Sequence, residues 1–348
     1  MNAPPILVTG ASGYVGSRLT VALLAKGERV RAAGRHLPAL QRRPWSSHPS
    51  VDINEMDVQD EASVIKALTG CRCAYYLVHS MHSGEKDFAD ADRRAADIFR
   101  RAAGRVGIER IIYLGGLGDA GADLSKHLRS RAEVSEILHS GPVPVTTLRA
   151  AVILGTGSVS FEILGYLVRR LPVIVMPKWV STRSQPIAIR NVIEYLVGCL
   201  DQPATAGDIF DIGGPEIVTY QQLMEIYEEV AGLRRFIIPV PVLVPWLSSS
   251  WIYFVNPISS ALTRPLAEGL KNTVICRDHR VQKIIPLRLI DCREAIRRAL
   301  IEPRETIVLP QHNMEFPAYE HKYPGDPPWV RERHLQKPQD SPRKSFPL

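Results

Sequence analysis

Three glycines constrain the fold of this chain more than any other feature. Thr9-Gly10-Ala11-Ser12-Gly13-Tyr14-Val15-Gly16 follows the apolar run Ile6-Leu7-Val8. It opens a stretch, 14–26, in which Val15, Leu19, Val21 or Ala22, and Leu23 recur at helical spacing. A short run apolar on both faces reads as a buried parallel strand. Gly27 stands where a helix C-terminus takes glycine. Strand, tight glycine turn and helix start together form a cradle for a pyrophosphate. Glycine lets the backbone come close, and the helix start offers unpaired N–H groups and partial positive charge. The position of the motif, more than its glycines alone, predicts dinucleotide binding by Gly10, Ser12, Gly13, Tyr14, Val15 and Gly16.

The alternation continues along the chain. Strands are expected at 30–34, 51–56, 74–78, 111–114 and within 143–154, with helices at 61–68, 88–106 and 124–138 between them. This βαβα order predicts an α/β fold, a doubly wound parallel Rossmann sheet with right-handed crossovers. Beyond Leu154 the pattern loosens into helices at 161–170, 191–200 and 220–231 with short strands such as 208–212. That half reads as a smaller C-terminal α/β substrate lobe closing over a cleft. The expected organisation is a dinucleotide-binding domain at 1–155 whose sheet later strands complete, a substrate lobe at 156–312, and a Pro-rich extended tail at 313–348.

The end of the second strand distinguishes the two dinucleotides. An Asp or Glu there binds the ribose hydroxyls of NAD, whereas Arg meets the 2′-phosphate of NADP. Here the strand ends Gly34-Arg35-His36 without a carboxylate, so Arg35 predicts NADP(H) in preference to NAD(H). Asp57-Val58 follows the third strand. Asp57 can accept from an adenine amino group while Val58 packs on the ring; the alternative is an Asp that merely caps a loop.

The chain has 348 residues, 45% hydrophobic and 23% charged, with a formal net charge of +7. Such a surface attracts nucleic acid, anionic lipid or a phosphorylated cofactor. Arg is not gathered into one run with interleaved aromatics, so no nucleic-acid partner is expected. Cys71, Cys73, Cys199, Cys276 and Cys292 are odd in number, and no secretory pattern precedes them. They are expected to be reduced structural thiols in a cytoplasmic setting. Neither Cys71-Arg72-Cys73 nor His79-Ser80-Met81-His82 has the companions of a metal site, and none is expected. The stretch 236–263 lacks any charge, but Pro239, Pro241, Pro245 and Pro257 would break a spanning helix. Buried core, an apolar wall for a greasy substrate, or contact with a membrane surface are the readings left open.

Several blocks, taken together, resemble one family. LVTGASGYVG (7–16), Asp57-Val58, AYYLVHSM (74–81), IERIIYLGGLG (108–118), TLRAAVILG (147–155), QPIAIRNV (185–192) and FDIGGPE (210–216) occur in its order over about the first two-thirds of the chain. They resemble the short-chain dehydrogenase/reductase superfamily in its atypical, NmrA-like branch, which includes the nucleotide-binding accessory subunit of respiratory complex I. The resemblance implies that Leu77, Val78 and His79 line the cofactor after the fourth strand. It also implies that Leu114, Gly115 and Gly116 lie beside the nicotinamide end.

The chain departs from the superfamily at the chemistry. Typical members use Tyr-x-x-x-Lys, and no Tyr here has Lys four residues later. In that register stands Ser125-Lys126-His127-Leu128-Arg129-Ser130-Arg131, with His127 in the Tyr place and Arg131 in the Lys place. A spacing of four puts both on one helical face. The usual Ser after the fifth strand is replaced by Gly115-Gly116. Imidazole can serve as acid or base near neutral pH. Arg131 can hold ribose or phosphate but keeps its proton. His127 and Arg131 are therefore the candidate catalytic pair, the alternative being a pair that only shapes the site.

Three functions follow in order. The first is an NADP(H)-dependent oxidoreductase acting on a hydrophobic carbonyl, enone or quinone-like molecule. The second is a non-catalytic NADP(H)-binding redox sensor or assembly factor with a protein partner. The last is a nucleotide-sugar epimerase, which wants the missing Tyr and Lys.

Overall fold

Side chains of a strand point alternately to its two faces, so a strand covered on both sides feeds two cores. In β1 (Ile6–Thr9) every residue is buried, Ile6 and Val8 in one core and Leu7 in the other. The same division runs through β4 (Cys73–Tyr76), where Cys73 and Tyr75 face one side and Ala74 and Tyr76 the other. With β2 (Val30–Gly34), β3 (Val51–Glu55), β5 (Arg110–Gly116), β6 (Val145–Ala150) and β11 (Ile209–Ile212) they form one sheet of seven strands. Its order is β11-β6-β5-β4-β1-β2-β3, and every neighbouring pair is parallel. This computed structural model describes residues 3–79, 88–118, 124–240, 257–300, 306–309 and 314–330.

Helices cover both faces. On one side α1 (Tyr14–Ala25) and α7 (Ile189–Asp201) pack together over Ile6, Val8 and Tyr75. On the other, α3 (Glu61–Leu68), α4 (Phe88–Val106) and α5 (Lys126–His139) bury Val64, Phe99 and Val134 against Leu7 and Tyr113. The short α2 (Leu37–Gln41) after β2 had no sequence signal. The sheet is doubly wound, as expected. Residues beyond 155 complete it, since β11 pairs with β6 and α7 packs on α1.

A third core gathers α6 (Val159–Arg170), α8 (Tyr220–Ala231) and a helix at Cys292–Leu300 around Phe161, Tyr227 and Ile296. Three two-stranded pairs line this lobe. β7 (Ile153–Leu154) pairs with β10 (Ile187–Ala188), β9 (Arg183–Ser184) with β12 (Val218–Thr219), and β8 (Val173–Pro177) with β13 (Phe236–Val240). The segment 314–330, part of the expected extended tail, is packed in place and buries Phe316, Tyr323 and Val330. Residues 331–348 and 241–256, which carry the rest of that tail and much of the uncharged stretch, lie outside the described residues.

Candidate cofactor and active site

The glycine loop sits at the carboxyl end of β1, where the chain order of the sheet reverses between β1 and β4. Gly10 has φ +62°, and a Cβ there would lie 2.9 Å from the Leu77 carbonyl oxygen. A Cβ on Gly16 would collide with the Gly10 carbonyl. The loop closes with the Gly13 amide donating to Gly10 O at 2.8 Å, and no side chain caps α1. Thr9 Oγ1 donates to Tyr75 O at 3.0 Å and accepts from the Leu77 amide at 2.9 Å, which locks the loop to the end of β4. A backbone cradle where Cβ atoms would clash, above a helix start without a side-chain cap, fits a dinucleotide diphosphate.

The other expected cofactor residues differ in their surroundings. Arg35 is exposed and follows Gly34, whose own Cβ would stand 3.7 Å from Ser12 Oγ. Asp57 is exposed and accepts from the Gln59 amide at 3.0 Å, so its carboxylate already caps a turn. Val58 is mostly core. Tyr14 serves the loop through its backbone, while its ring packs against Gly157 and beneath the Arg18 guanidinium at 4.1 Å. Burial pushes its hydroxyl well above the usual tyrosine range.

A clamp that the sequence did not reveal fixes the loop from behind. Arg18 is fully buried in α1 and donates to Tyr319 O at 2.7 Å, Thr156 O at 3.0 Å and Asp326 Oδ2 at 3.1 Å. Arg43 reaches Asp326 Oδ1 at 2.7 Å with one nitrogen and the Ser12 carbonyl with another. Asp326 is buried beneath both guanidinium groups and also accepts from the Tyr323 amide at 2.9 Å.

At the carboxyl ends of β4 and β5 three polar side chains join in series. Asp92 on α4 is 3% exposed, and its Oδ2 lies 2.7 Å from His79 Nδ1. His79 Nε2 lies 3.1 Å from His127 Nδ1. Ser130, one turn along α5 from His127, donates to the same Asp92 oxygen at 3.1 Å. Ser125 starts α5, its amide held by Asn272 Oδ1 at 3.1 Å, so the position of His127 depends on both lobes. Burial, then the charge His79 can carry, then Arg131, hold His127 well below the usual imidazole range. His127 is thus neutral at working pH.

Arg131 shares that helical face with His127, as the spacing predicts, but it is occupied. Its guanidinium donates to Leu114 O and lies 4.9 Å from the Tyr113 ring centroid. It thereby fixes the end of β5 beside the expected nicotinamide position. A Cβ on Gly116 would stand 3.1 Å from Leu128 and 3.6 Å from Arg131, which fill the space of the usual serine. His82 lies outside the described residues, and among those described no three His, Cys, Asp or Glu side chains form a metal-sized group. All five cysteines are buried and free of disulfides.

In the second lobe an apolar cavity of about 50 Å³ opens between Val152, Leu154, Leu164, Leu167, Met224 and Leu266. A more polar one of about 140 Å³ lies at the end of β5, lined by Leu117, Gly118, Arg149 and Asp211.

Known proteins agree with this geometry. Residues 10–150 match a family model described as NAD(P)H-binding. An Arabidopsis thaliana protein, mitochondrial NADH dehydrogenase (ubiquinone) 1 alpha subcomplex subunit 9, is 23% identical over 270 residues, 74% of this chain. The chain spans 66% of that relative, just under two-thirds. A solved Citrobacter sp. triphenylmethane reductase complexed with NADP(H) superposes with TM-score 0.68 at 18% identity, covering 85% of this chain and 100% of that one. An Escherichia coli NADPH-dependent quinone oxidoreductase complexed with NADPH gives TM-score 0.68 at 15% identity, covering 84% and 98%. At such identities the two structures speak for the fold alone. The glycine cradle, the family model over residues 10–150 and the ordered blocks agree on an NAD(P)H-binding domain, and the chain resembles the atypical short-chain dehydrogenases/reductases of the NmrA-like branch.

Proposed function

We propose that this chain is an NADPH-dependent oxidoreductase acting on a hydrophobic carbonyl, enone or quinone-like molecule, with His127 as its proton donor. The observation that carries this reading is the Asp92–His79–His127 series. A carboxylate 3% exposed is costly to bury, and its partners here are His79 and Ser130. A module that only binds a nucleotide has no need of it. An Asp behind a His fixes the ring's tautomer and offsets the positive charge the ring takes up.

The backbone of 10–16 and the first turn of α1 would hold the diphosphate, Arg35 the 2′-phosphate, and Leu77–His79 with Leu114–Gly116 the nicotinamide side. Bound NADPH supplies a hydride to the substrate carbon. The oxygen left negative takes the proton from His127 Nε2. His127 Nδ1 then takes the Nε2 proton of a His79 imidazolium, which becomes neutral and keeps its Nδ1 proton hydrogen-bonded to the Asp92 carboxylate. His127 is neutral before and after, having only changed tautomer. The His79 side chain, 18% exposed, regains its proton from water. Arg131 positions β5 and takes no part in proton movement.

Steady NADPH oxidation with small apolar quinones or enones tests the reading. Binding of NADPH without turnover on any of them, together with a co-purifying protein, would favour the non-catalytic module instead. That second reading has its own support in Arg131, whose engagement with Leu114 leaves the usual Lys role unfilled.

Cofactor preference gives a separate prediction. Arg35→Ala removes a charge-assisted contact of ~1.5–3 kcal/mol, so NADPH affinity falls by ~10–100-fold while NADH affinity holds. Calorimetry with both nucleotides checks it. Equal losses for the two, or none for either, would remove Arg35 from the 2′-phosphate site.

A further inference from the structure

The parallel pair β8–β13 sets Val173 opposite Phe236 and Val175 opposite Ile238. Between them Ile174 is fully buried, so alternation turns the other four outward. Val173, Val175, Phe236 and Ile238 are 44%, 46%, 73% and 47% exposed, a two-by-two apolar face on the surface. Single exposed apolar residues are ordinary, but a contiguous set at matched register marks an interaction surface. Both strands begin beside a cation, since the exposed Arg170 and Arg234 precede Val173 and Phe236.

We propose that this face docks on an anionic membrane surface. The observations favour a lipid surface over a protein groove. The face is small and flanked by arginines, and it belongs to a chain of net charge +7. An apolar patch that enters the headgroup region beside Arg guanidinium groups that meet anionic lipid is the usual make-up of such contacts. Among the described residues no helix is long and apolar enough to cross a membrane, so the contact is peripheral. The face follows in the chain the helix that lines the apolar cavity of the second lobe. Leu164 and Leu167 of α6 line that cavity, and the same helix ends at Arg170, three residues before Val173. The surface stands whether or not the chain turns over a substrate.

Co-sedimentation of the full chain with vesicles tests this, using phosphatidylcholine alone and phosphatidylcholine mixed with phosphatidylglycerol. The expected result is binding to the mixed vesicles only, weakened by added salt and lowered on the order of tenfold by Phe236→Asp or by Arg234→Glu. Phe236 is mostly exposed, so its replacement leaves the core intact, which circular dichroism and a thermal melt would verify. Val175→Asp provides a second variant if Phe236→Asp does not fold. No sedimentation with either vesicle, or equal sedimentation of wild type and variants, would overturn the proposal. A dimer in solution that Phe236→Asp dissociates, without vesicle binding, would assign the face to a second copy and overturn it too.

Discussion

His127→Ala lowers kcat with a quinone or enone substrate by ~10²–10⁴-fold, the span that a positioned acid contributes. NADPH binding stays within about twofold by calorimetry, because the glycine cradle lies on another loop. The residues behind it give the prediction its sharper form. Asp92→Asn keeps size and a hydrogen bond but cannot hold the His79 Nδ1 proton with a full charge. It is expected to reproduce much of the loss in kcat with little change in KM. His79→Gln interrupts the series and is expected to lower kcat at least as far as Asp92→Asn does. His127 itself stays neutral near neutral pH, since burial holds its pKa down. Long-range ¹⁵N–¹H spectra of the nucleotide-free protein read the same feature without activity, with His127 protonated on Nε2 in wild type and a mixture of tautomers in Asp92→Asn. Full turnover in His127→Ala would end its role as donor. An unchanged tautomer in Asp92→Asn would end only the role of the residues behind it.

The second large effect concerns stability. Asp326→Ala leaves Arg18, fully buried, and Arg43 without their shared carboxylate. Removing one partner of a buried ion pair costs ~3–5 kcal/mol, because the remaining charge stays uncompensated. For a chain of 348 residues that lowers Tm by ~4–7 °C. Arg43 also holds the Ser12 carbonyl, so the variant should bind NADPH more weakly even well below its melting point. Asp326→Asn, which keeps the shape and loses the charge, should fall between the two. Thermal melts and calorimetry measure both effects. A Tm within about 1 °C of wild type would show that the clamp contributes less than ~1 kcal/mol.

Strong periodicity made much of the fold legible. Helices at 61–68, 88–106 and 220–231 begin and end where their apolar spacing does. The fourth strand was extended too far, because Leu77 and Val78 are apolar like Ala74 to Tyr76. They leave the sheet because Thr9 Oγ1 takes the Leu77 amide and Gly10 crowds its carbonyl. His79 and His127 could each be singled out, one by resemblance and one by register, but not as neighbours 48 residues apart. Asp92 was hidden because it sits among charged residues of an amphipathic helix, where a carboxylate reads as surface. Arg18 was hidden for the opposite reason. Every residue around it on α1 is buried, so its charge has no face of its own in the pattern.

The double-arginine contact with Asp326 also bears on how the molecule comes into being. Arg18 and Asp326 are 308 positions apart. Synthesis proceeds from the N-terminus, and domains tend to fold as they emerge. The nucleotide loop leaves the ribosome some three hundred residues before the carboxylate that secures it. Until then a nascent chain carries two arginines awaiting one acid, and its ability to hold a nucleotide waits on the synthesis of that acid.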